Sequence, residues 1–289
     1  MNILLTGASG FTGQHFMQAA LSAGHTVLPL QADLSNPVQI EAEVAQAQPE
    51  AVVHLAAISY VAHADASAFY AINTVGTTHL LDAVAALRKL PRCVLLASSA
   101  NVYGNCNSSP IAETQAPAPV NHYAMSKLAM EHMARTYADR LPLIITRPFN
   151  YTGPGQASQF LIPKLVQHYA GLAESIELGN IHVEREFNDI RMVCEAYLAL
   201  LQHGETGQTY NICTGLPHTL QQVMDALTDI TGHHLNVQVN PALVRTTEVH
   251  RLCGDPGKLL AATGLDLRRY SLTATLQTML ERARAQPSH

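Results

Sequence analysis

The chain has 289 residues, of which 47% are hydrophobic and 13% charged, a composition that predicts a folded protein with a large apolar core. Its 17 Lys and Arg residues against 22 Asp and Glu residues give a formal net charge of −5, which argues against binding to nucleic-acid phosphates. The longest apolar stretches, such as Val94–Ala97, are far shorter than the about 20 residues that span a bilayer. No membrane segment is therefore expected.

The N-terminus and the cysteines both favour a cytoplasmic location. The first apolar run begins at Asn2, which leaves no basic and apolar export signal before it. The five cysteines form no C-x-x-C pair, so we expect reduced thiols rather than a disulfide framework. Neither an H-E-x-x-H motif nor a Cys/His cluster is present, and no metal site is predicted.

The first half of the chain alternates short apolar runs with amphipathic segments of helical length, which is the pattern of repeated β-α-β units. The predicted strands are Asn2–Thr6, Thr26–Leu30, Ala51–Leu55, Val94–Ala97 and Leu143–Thr146. The predicted helices are Thr12–Ala23, Pro37–Ala47, about Asn73–Arg88 and Tyr123–Arg140. Parallel neighbours need right-handed crossovers, which place helices on both faces of the sheet. The predicted fold class is α/β, with a doubly wound, Rossmann-type parallel sheet.

The pattern changes after Pro148. A Gly153-Pro154-Gly155 break leads into a predicted helix over Gln159–Gly171, followed by shorter pieces. Another helix, over Met192–His203, is long enough to pack back on the sheet, so we expect the lobes to interleave. We predict a dinucleotide-binding domain of residues 1–150 and about 185–212. The smaller C-terminal substrate lobe would comprise about 151–184 and 213–289.

Three glycines, Gly7, Gly10 and Gly13, lie between the first predicted strand and the first helix. A tight strand-to-helix turn needs glycine where φ is positive or where the backbone approaches a ligand closely. The following helix N-terminus offers free N–H groups and the positive end of a dipole. The spacing G-x-x-G-x-x-G differs from G-x-G-x-x-G, so an ordinary glycine-rich turn is the alternative. The position nevertheless favours a dinucleotide pyrophosphate, with Gly10 against it.

Tyr123 and Lys127 are spaced i and i+4, on one face of the helix after the fourth strand. A phenol can donate a proton, and a nearby ammonium would lower its pKa. Ser98 and Ser99 follow the fourth strand, at the edge where doubly wound sheets bind ligands. Taken singly, these features have simpler explanations, a chance spacing or a loop-capping serine.

Together, the glycine turn, the serine and the Tyr-Lys pair resemble the extended short-chain dehydrogenase/reductase family, and the resemblance covers nearly the whole chain. Further matching segments are Leu55-Ala56-Ala57, Asn73-Thr-Val-Gly76-Thr77, Arg147-Pro-Phe-Asn150, Gly153-Pro-Gly-Gln156, Gly179-Asn180, Arg185-Glu-Phe-Asn-Asp189, Tyr210-Asn-Ile-Cys-Thr-Gly215 and Arg245-Thr-Thr-Glu248. The later segments are similar to the subgroup that acts on GDP-linked 6-deoxyhexoses. Within it, the chain looks most like the reductases of GDP-4-keto-6-deoxymannose, with the GDP-mannose 4,6-dehydratases as close competitors.

The resemblance implies reduction of the C4 ketone of a GDP-linked 4-keto-6-deoxyhexose by NADPH or NADH. It implies catalytic roles for Ser99, Tyr123 and Lys127. The implied cofactor contacts are Gly7, Ser9, Gly10, Phe11, Thr12, Gly13, Asp33, Leu34, Leu55, Ala56, Ala57, Asn73, Tyr123 and Lys127. The implied substrate contacts are Ser99, Asn101, Asn150, Arg185, Arg245 and Glu248. It further implies a homodimer through a four-helix bundle, built from the helix Val75–Leu87 and the Tyr123 helix.

Asn101 bears on which reaction is expected. The resemblance places it where the 4,6-dehydratases carry a glutamate that removes the C5 proton, and a neutral amide cannot do so. This difference favours a reductase. A 4-epimerase would use the same residues and retain its cofactor through the cycle. The alternative from a different class is a dinucleotide-binding regulator without catalysis.

The choice between NADH and NADPH is poorly marked in the sequence. Acidic residues after the second strand usually bind the ribose 2′-hydroxyl of NAD, and Arg accommodates the 2′-phosphate of NADP. Leu30-Gln31-Ala32 offers neither. We therefore expect both cofactors to be used.

Overall fold

The architecture is taken from a computed structural model, which describes residues 1–60, 65–106, 108–244 and 249–285. The strands are β1 (Asn2–Thr6), β2 (Thr26–Pro29), β3 (Ala51–His54), β4 (Cys93–Ala97), β5 (Leu143–Pro148), β6 (Tyr151–Thr152), β7 (Ser175–Leu178), β8 (Glu184–Arg185), β9 (Asn188–Asp189), β10 (Thr209–Ile212), β11 (His218–Thr219), β12 (Asn236–Val239) and β13 (Arg251–Leu252). The α-helices are α1 (Phe11–Ser22), α2 (Pro37–Ala47), α3 (Ala66–Tyr70), α4 (Thr77–Ala85), α5 (His122–Arg135), α6 (Leu161–Ala170), α7 (Ile190–His203), α8 (Leu220–Thr231), α9 (Gly257–Thr263) and α10 (Leu272–Ala285). Within these ranges, no helix has both the length and the apolar character needed to cross a membrane.

The main sheet has six parallel strands in the order β10-β5-β4-β3-β1-β2. Side chains alternate across it, so Ile3 and Leu5 join one apolar cluster and Leu4 joins the other. Helices α1, α7 and α9 cover the first face, and α2, α4 and α5 cover the second. Burial on both faces explains why the strands are almost continuously apolar. The predicted doubly wound α/β fold is confirmed.

Three elements differ from the sequence prediction. The helix predicted over Tyr123–Arg140 ends at Arg135, and residues 136–140 form a turn. The strand β10 was not predicted, because its only apolar side chains are Tyr210 and Ile212; it lies at the sheet edge, paired with β5. The helix predicted to begin at Asn73 begins at Ala66 instead, where the Asp65 side chain caps it by accepting from Ser67 N. Between α3 and α4 the helix widens into a π-helical segment.

A separate apolar cluster forms from α6, β7, α8 and α10, beyond the carboxyl ends of the main strands. Its centre includes Leu165, Tyr169, Leu227 and Leu276, all almost fully buried. Helix α9 lies between α8 and α10 in sequence but packs Leu259 into the sheet cluster. The part of the chain predicted to form the second lobe therefore returns to the sheet at α9.

Candidate active site

A cleft of about 480 Å³ opens at the carboxyl ends of the strands, next to the first glycine turn. The chain crosses from β1 to β2 on one side and from β3 to β4 on the other, so the strand order reverses between β1 and β3. Open α/β sheets bind ligands at such switch points, because the loops diverge there. Residues after β1, β3, β4 and β5 all line the cleft.

Each of the three positions in the first turn is glycine for a different structural reason. Gly7 has φ of +71°, and a Cβ there would lie 2.7 Å from Ala56 N. A Cβ on Gly13 would lie 2.0 Å from Gly7 O, so the packing of α1 on the turn excludes a side chain. Gly10 has φ of −74°, and Gly7 O, at 3.3 Å, is the one described protein atom near its Cβ position. Backbone conformation and packing within the protein therefore require glycine at Gly7 and Gly13. Gly10 lines the cleft, at the N-terminus of α1.

Ser99 and Tyr123 meet in the cleft from neighbouring elements. Ser99 follows β4, and its Oγ accepts from the backbone N and the Nδ2 of Asn101, both at 3.2 Å. Tyr123 is in the first turn of α5, which Asn121 caps by accepting from Ala124 N at 2.8 Å. Burial raises the pKa of Tyr123 to about 12, against the opposing hydrogen bond from Ser99. The phenol is therefore protonated at neutral pH.

Lys127 lies one turn further along α5 and is almost fully buried. Its Nζ donates to Ala97 O, at the end of β4, over 2.7 Å. Burial lowers the pKa of Lys127 to about 8, although Glu131 opposes that shift. We expected Lys127 to lower the pKa of Tyr123. This expectation is not met, because desolvation dominates the Tyr123 pKa and Ser99 is the group that lowers it.

A buried ion pair between Arg147 and Glu131 lies close to Lys127. Arg147, at the end of β5, donates to both carboxylate oxygens of Glu131 on α5, over 2.9 and 2.6 Å. The Ser98 hydroxyl donates to the same carboxylate over 2.6 Å. Arg147 also donates to Tyr103 Oη over 3.0 Å. This network joins β4, β5 and α5 directly behind the catalytic candidates.

The loop after β3 is held by a second buried network. Thr6 Oγ1 accepts from Leu55 N and Ala56 N, over 3.2 and 3.1 Å, and contacts His54 Nδ1 at 2.7 Å. His54 Nε2 in turn contacts Thr77 Oγ1 at 2.8 Å. Burial lowers the pKa of His54 to about 3, so the imidazole is neutral. Because Thr77 Oγ1 donates its own proton to Asn73 O over 2.8 Å, it accepts from His54 Nε2–H, and the Thr6 hydroxyl donates to Nδ1.

Asn73, predicted as a cofactor contact, lies behind the cleft rather than in it. Its Oδ1 accepts from Ile58 N over 2.9 Å, and its Nδ2 donates to Ile58 O and to Ser126 Oγ. Ser126 Oγ in turn donates to Tyr123 O. Asn73 therefore ties the loop after β3 to the helix that carries Tyr123.

The structure brings most of the predicted residues together. The predicted residues that line the cleft are Gly7, Gly10, Phe11, Thr12, Gly13, Leu55, Ala57, Ser99, Asn101, Tyr123, Lys127 and Asn150. The predicted residues outside its lining are Ser9, Asp33, Leu34, Ala56, Asn73 and Arg185. Arg185 is almost fully buried, with its Nη1 donating to Glu184 O over 3.0 Å. Arg245 and Glu248 lie outside the described residues.

Several aromatic lining residues were not predicted. Tyr151 stacks on Phe11, and its hydroxyl lies 2.8 Å from Thr12 Oγ1. Tyr60, after β3, meets Phe160, before α6, edge to face at 5.9 Å between ring centroids. Aromatic residues in loops carry no periodic pattern, so only the flanking Asn150 and Gly153 motifs could have drawn attention to Tyr151.

The fold and the Ser99, Tyr123 and Lys127 group define a short-chain dehydrogenase/reductase of the extended type. The family model described as "GDP-mannose 4,6 dehydratase" matches residues 28–279. The GDP-6-deoxy-D-talose 4-dehydrogenase of Aggregatibacter actinomycetemcomitans is 35% identical over 285 residues, covering 96% of this chain and 97% of that one. The GDP-6-deoxy-D-mannose reductase of Pseudomonas aeruginosa is 36% identical over 278 residues, covering 91% and 90%.

The solved structure of RMD from Pseudomonas aeruginosa, complexed with NADPH, superposes with a TM-score of 0.90 and 34% identity. The match covers 98% of this chain and 99% of that one. The chain belongs to the GDP-mannose 4,6 dehydratase family, and the predicted resemblance is confirmed.

Proposed function

We propose that this protein reduces the C4 ketone of a GDP-linked 4-keto-6-deoxyhexose to the alcohol, with NADPH or NADH as the hydride donor. The observation that carries the proposal is the meeting of Ser99, Tyr123 and Lys127 in the cleft that the glycine turn opens. Its relatives, a GDP-6-deoxy-D-mannose reductase and a GDP-6-deoxy-D-talose 4-dehydrogenase, support the same sugar class.

The residues around the first turn fit a dinucleotide. Gly10 lines the cleft without a side chain that would obstruct a ligand, and the N-terminus of α1 directs N–H groups and a positive dipole end toward a pyrophosphate. Lys127 would hold the nicotinamide ribose from the floor of the cleft. When bound, the reduced nicotinamide supplies the hydride.

Tyr123 is the proposed acid. Its phenol is protonated at neutral pH, and the alkoxide that forms at C4 is a stronger base than phenolate, so proton transfer to it is favourable. The hydroxyl of Ser99 would donate a hydrogen bond to the same oxygen, where negative charge develops in the transition state. Because Asn101 already donates to Ser99 Oγ from its backbone and side chain, the Ser99 proton is directed away from Asn101.

Water elimination is disfavoured by the composition of the cleft. A 4,6-dehydratase needs a base to remove the C5 proton. Among the described residues that line the cleft, none is Asp, Glu or His, and Asn101 is neutral. Reduction needs one acid and no such base, so it matches the side chains present better than elimination does.

The nucleotide end of the substrate is assigned to the second lobe. Arg185, Arg245 and Glu248 are proposed to recognise GDP, since guanidinium groups suit bidentate contact with a pyrophosphate. Burial of Arg185 favours a supporting role there, with the direct contact left to Arg245.

We propose a cytoplasmic homodimer assembled through α4, α5 and their symmetry mates as a four-helix bundle. Val75, just before α4, and Met125 on α5 are 49% and 43% exposed in the single chain. Burying such large apolar side chains would stabilise association. Sedimentation at micromolar concentration tests the assembly; a monomer would contradict it.

The activity is tested by adding freshly generated GDP-4-keto-6-deoxymannose to the protein with NADH or NADPH and identifying the product sugar. We expect one equivalent of reduced cofactor to be oxidised for each GDP-6-deoxyhexose formed. A 4-epimerase or a 4,6-dehydratase acts on a sugar that still carries its C4 hydroxyl. Conversion of a GDP-6-deoxyhexose or of GDP-mannose without net oxidation, with the 4-keto sugar left unreduced, would therefore indicate an epimerase or a dehydratase instead. Cofactor binding without any turnover would indicate a regulator.

A further inference from the structure

A carboxylate that local sequence does not reveal lies at the end of β2, where doubly wound folds bind the adenosine ribose of a dinucleotide. Leu30 N donates to Leu5 O over 2.8 Å, so strand pairing continues to the end of β2, beside the glycine turn. Gln31 is the next residue, and its backbone N donates to Glu43 Oε2 over 2.8 Å. Doubly wound folds bind the adenosine ribose at this place, and an acidic side chain there is the usual partner of a free 2′-hydroxyl.

The fold fixes Glu43 in this position. Helix α2 buries Ile40 and Val44 against the sheet, which turns the intervening Glu43 toward the end of β2. Glu43 itself is half-buried, and the bond from Gln31 N holds its carboxylate. A carboxylate accepts several hydrogen bonds, so this bond leaves further acceptor capacity for a hydroxyl.

Positive charge is missing from the whole first part of the sequence. Residues 1–87 contain no Lys or Arg, whereas they contain six acidic residues. The first basic residues, Arg88, Lys89 and Arg92, precede β4 and so lie at the amino ends of the strands, opposite the cleft. Asp33, two residues beyond Gln31, adds a second carboxylate, and hydrogen bonds from Ser35 lower its pKa.

We propose that this chain binds NADH in preference to NADPH, and that the Glu43 carboxylate sets the preference. This inference rests on the proposed function, because it concerns the cofactor of that reaction. A 2′-phosphate carries nearly two negative charges and would meet Glu43 with no guanidinium or ammonium from the first 87 residues to neutralise it. The preference would distinguish this chain from the Pseudomonas aeruginosa relative, which was solved with NADPH.

Fluorescence titration of NADH and NADPH into the protein, without sugar substrate, tests the proposal directly. We expect NADH to bind at least about tenfold more tightly at low salt, the size expected for unit charges several ångströms apart in water. Glu43→Gln should bring the two dissociation constants within about threefold of each other, mainly by improving NADPH binding. The wild-type ratio should also shrink as salt is added.

Glu41→Gln is the matched control, since Glu41 is an exposed residue on the same helix with the same charge. It should leave the ratio unchanged. Equal or tighter binding of NADPH by the wild type would overturn the preference, and an unchanged ratio in Glu43→Gln would overturn the role of Glu43. Failure of both cofactors to bind would instead overturn the proposed function, and this inference with it.

Discussion

Replacing Glu131 by glutamine should lower both the free energy of unfolding and the pKa of Lys127. The carboxylate is fully buried and receives two hydrogen bonds from Arg147, which is itself only 3% exposed. Breaking a buried pair and leaving one charge uncompensated costs about 3–5 kcal/mol. Glutamine keeps the volume and one acceptor oxygen, so we expect a loss near the lower end, about 3 kcal/mol.

Urea denaturation measures this loss, and Arg135→Gln provides the control. Arg135 reaches the same Glu131 carboxylate at 3.8 Å, but its side chain is 49% exposed, so its removal should cost less than about 1 kcal/mol. In a thermal scan, the Glu131→Gln midpoint should fall by roughly 6–12 °C. Equal losses for the two variants would refute the argument that burial gives this ion pair its importance.

The same variant has a second consequence, for pH dependence. Glu131 raises the pKa of Lys127, which burial has lowered to about 8. Lys127 is charged below that pKa and neutral above it, so removal of the Glu131 charge moves the loss of positive charge to lower pH. NADH binding by Glu131→Gln should therefore weaken at a lower pH than in the wild type. A change of equal size at every pH would contradict this explanation.

Three further outcomes are expected. Tyr123→Phe should lower turnover by about two orders of magnitude or more, whereas Tyr137→Phe, which loses a hydrogen bond to a remote carboxylate, should keep most of the rate in the same NADH oxidation assay. Gly10→Val should abolish cofactor binding in calorimetry while circular dichroism remains that of the folded protein; unchanged affinity would refute the placement of the pyrophosphate. Arg245→Ala should raise the Michaelis constant for the GDP-sugar by at least about tenfold with little change in cofactor affinity. An unchanged Michaelis constant would show that Arg245 does not recognise GDP.

The first β-α unit could be predicted from sequence because its signals are local. A buried strand, a glycine turn and an amphipathic helix follow one another within Asn2–Ser22, and each has a physical reason visible in neighbouring residues. The i, i+4 spacing likewise placed Tyr123 and Lys127 on one helix face. Strand β10 was not predicted, because its four residues are too few to give a recognisable pattern of apolar side chains.

The supporting contacts could not be predicted, because they join residues far apart in sequence. Glu131 meets Arg147 across 16 positions, and Glu43 meets Gln31 across 12. Only the fold decides which of several acidic residues reaches a given donor. The proximity of Glu131 to Lys127 could have been predicted, since Glu131 follows Lys127 by four residues on the same helical face.

Transfer of deuterium to the sugar from NADH that carries deuterium at both hydrogen positions of the nicotinamide C4 tests the central claim most directly. If Tyr123 and Ser99 activate the C4 ketone for reduction, the product GDP-6-deoxyhexose should carry one deuterium at C4, with one equivalent of NAD formed. The configuration at the labelled carbon would also identify the face that receives hydride. Product without deuterium, or conversion of the sugar without net NADH oxidation, would contradict the proposed reaction.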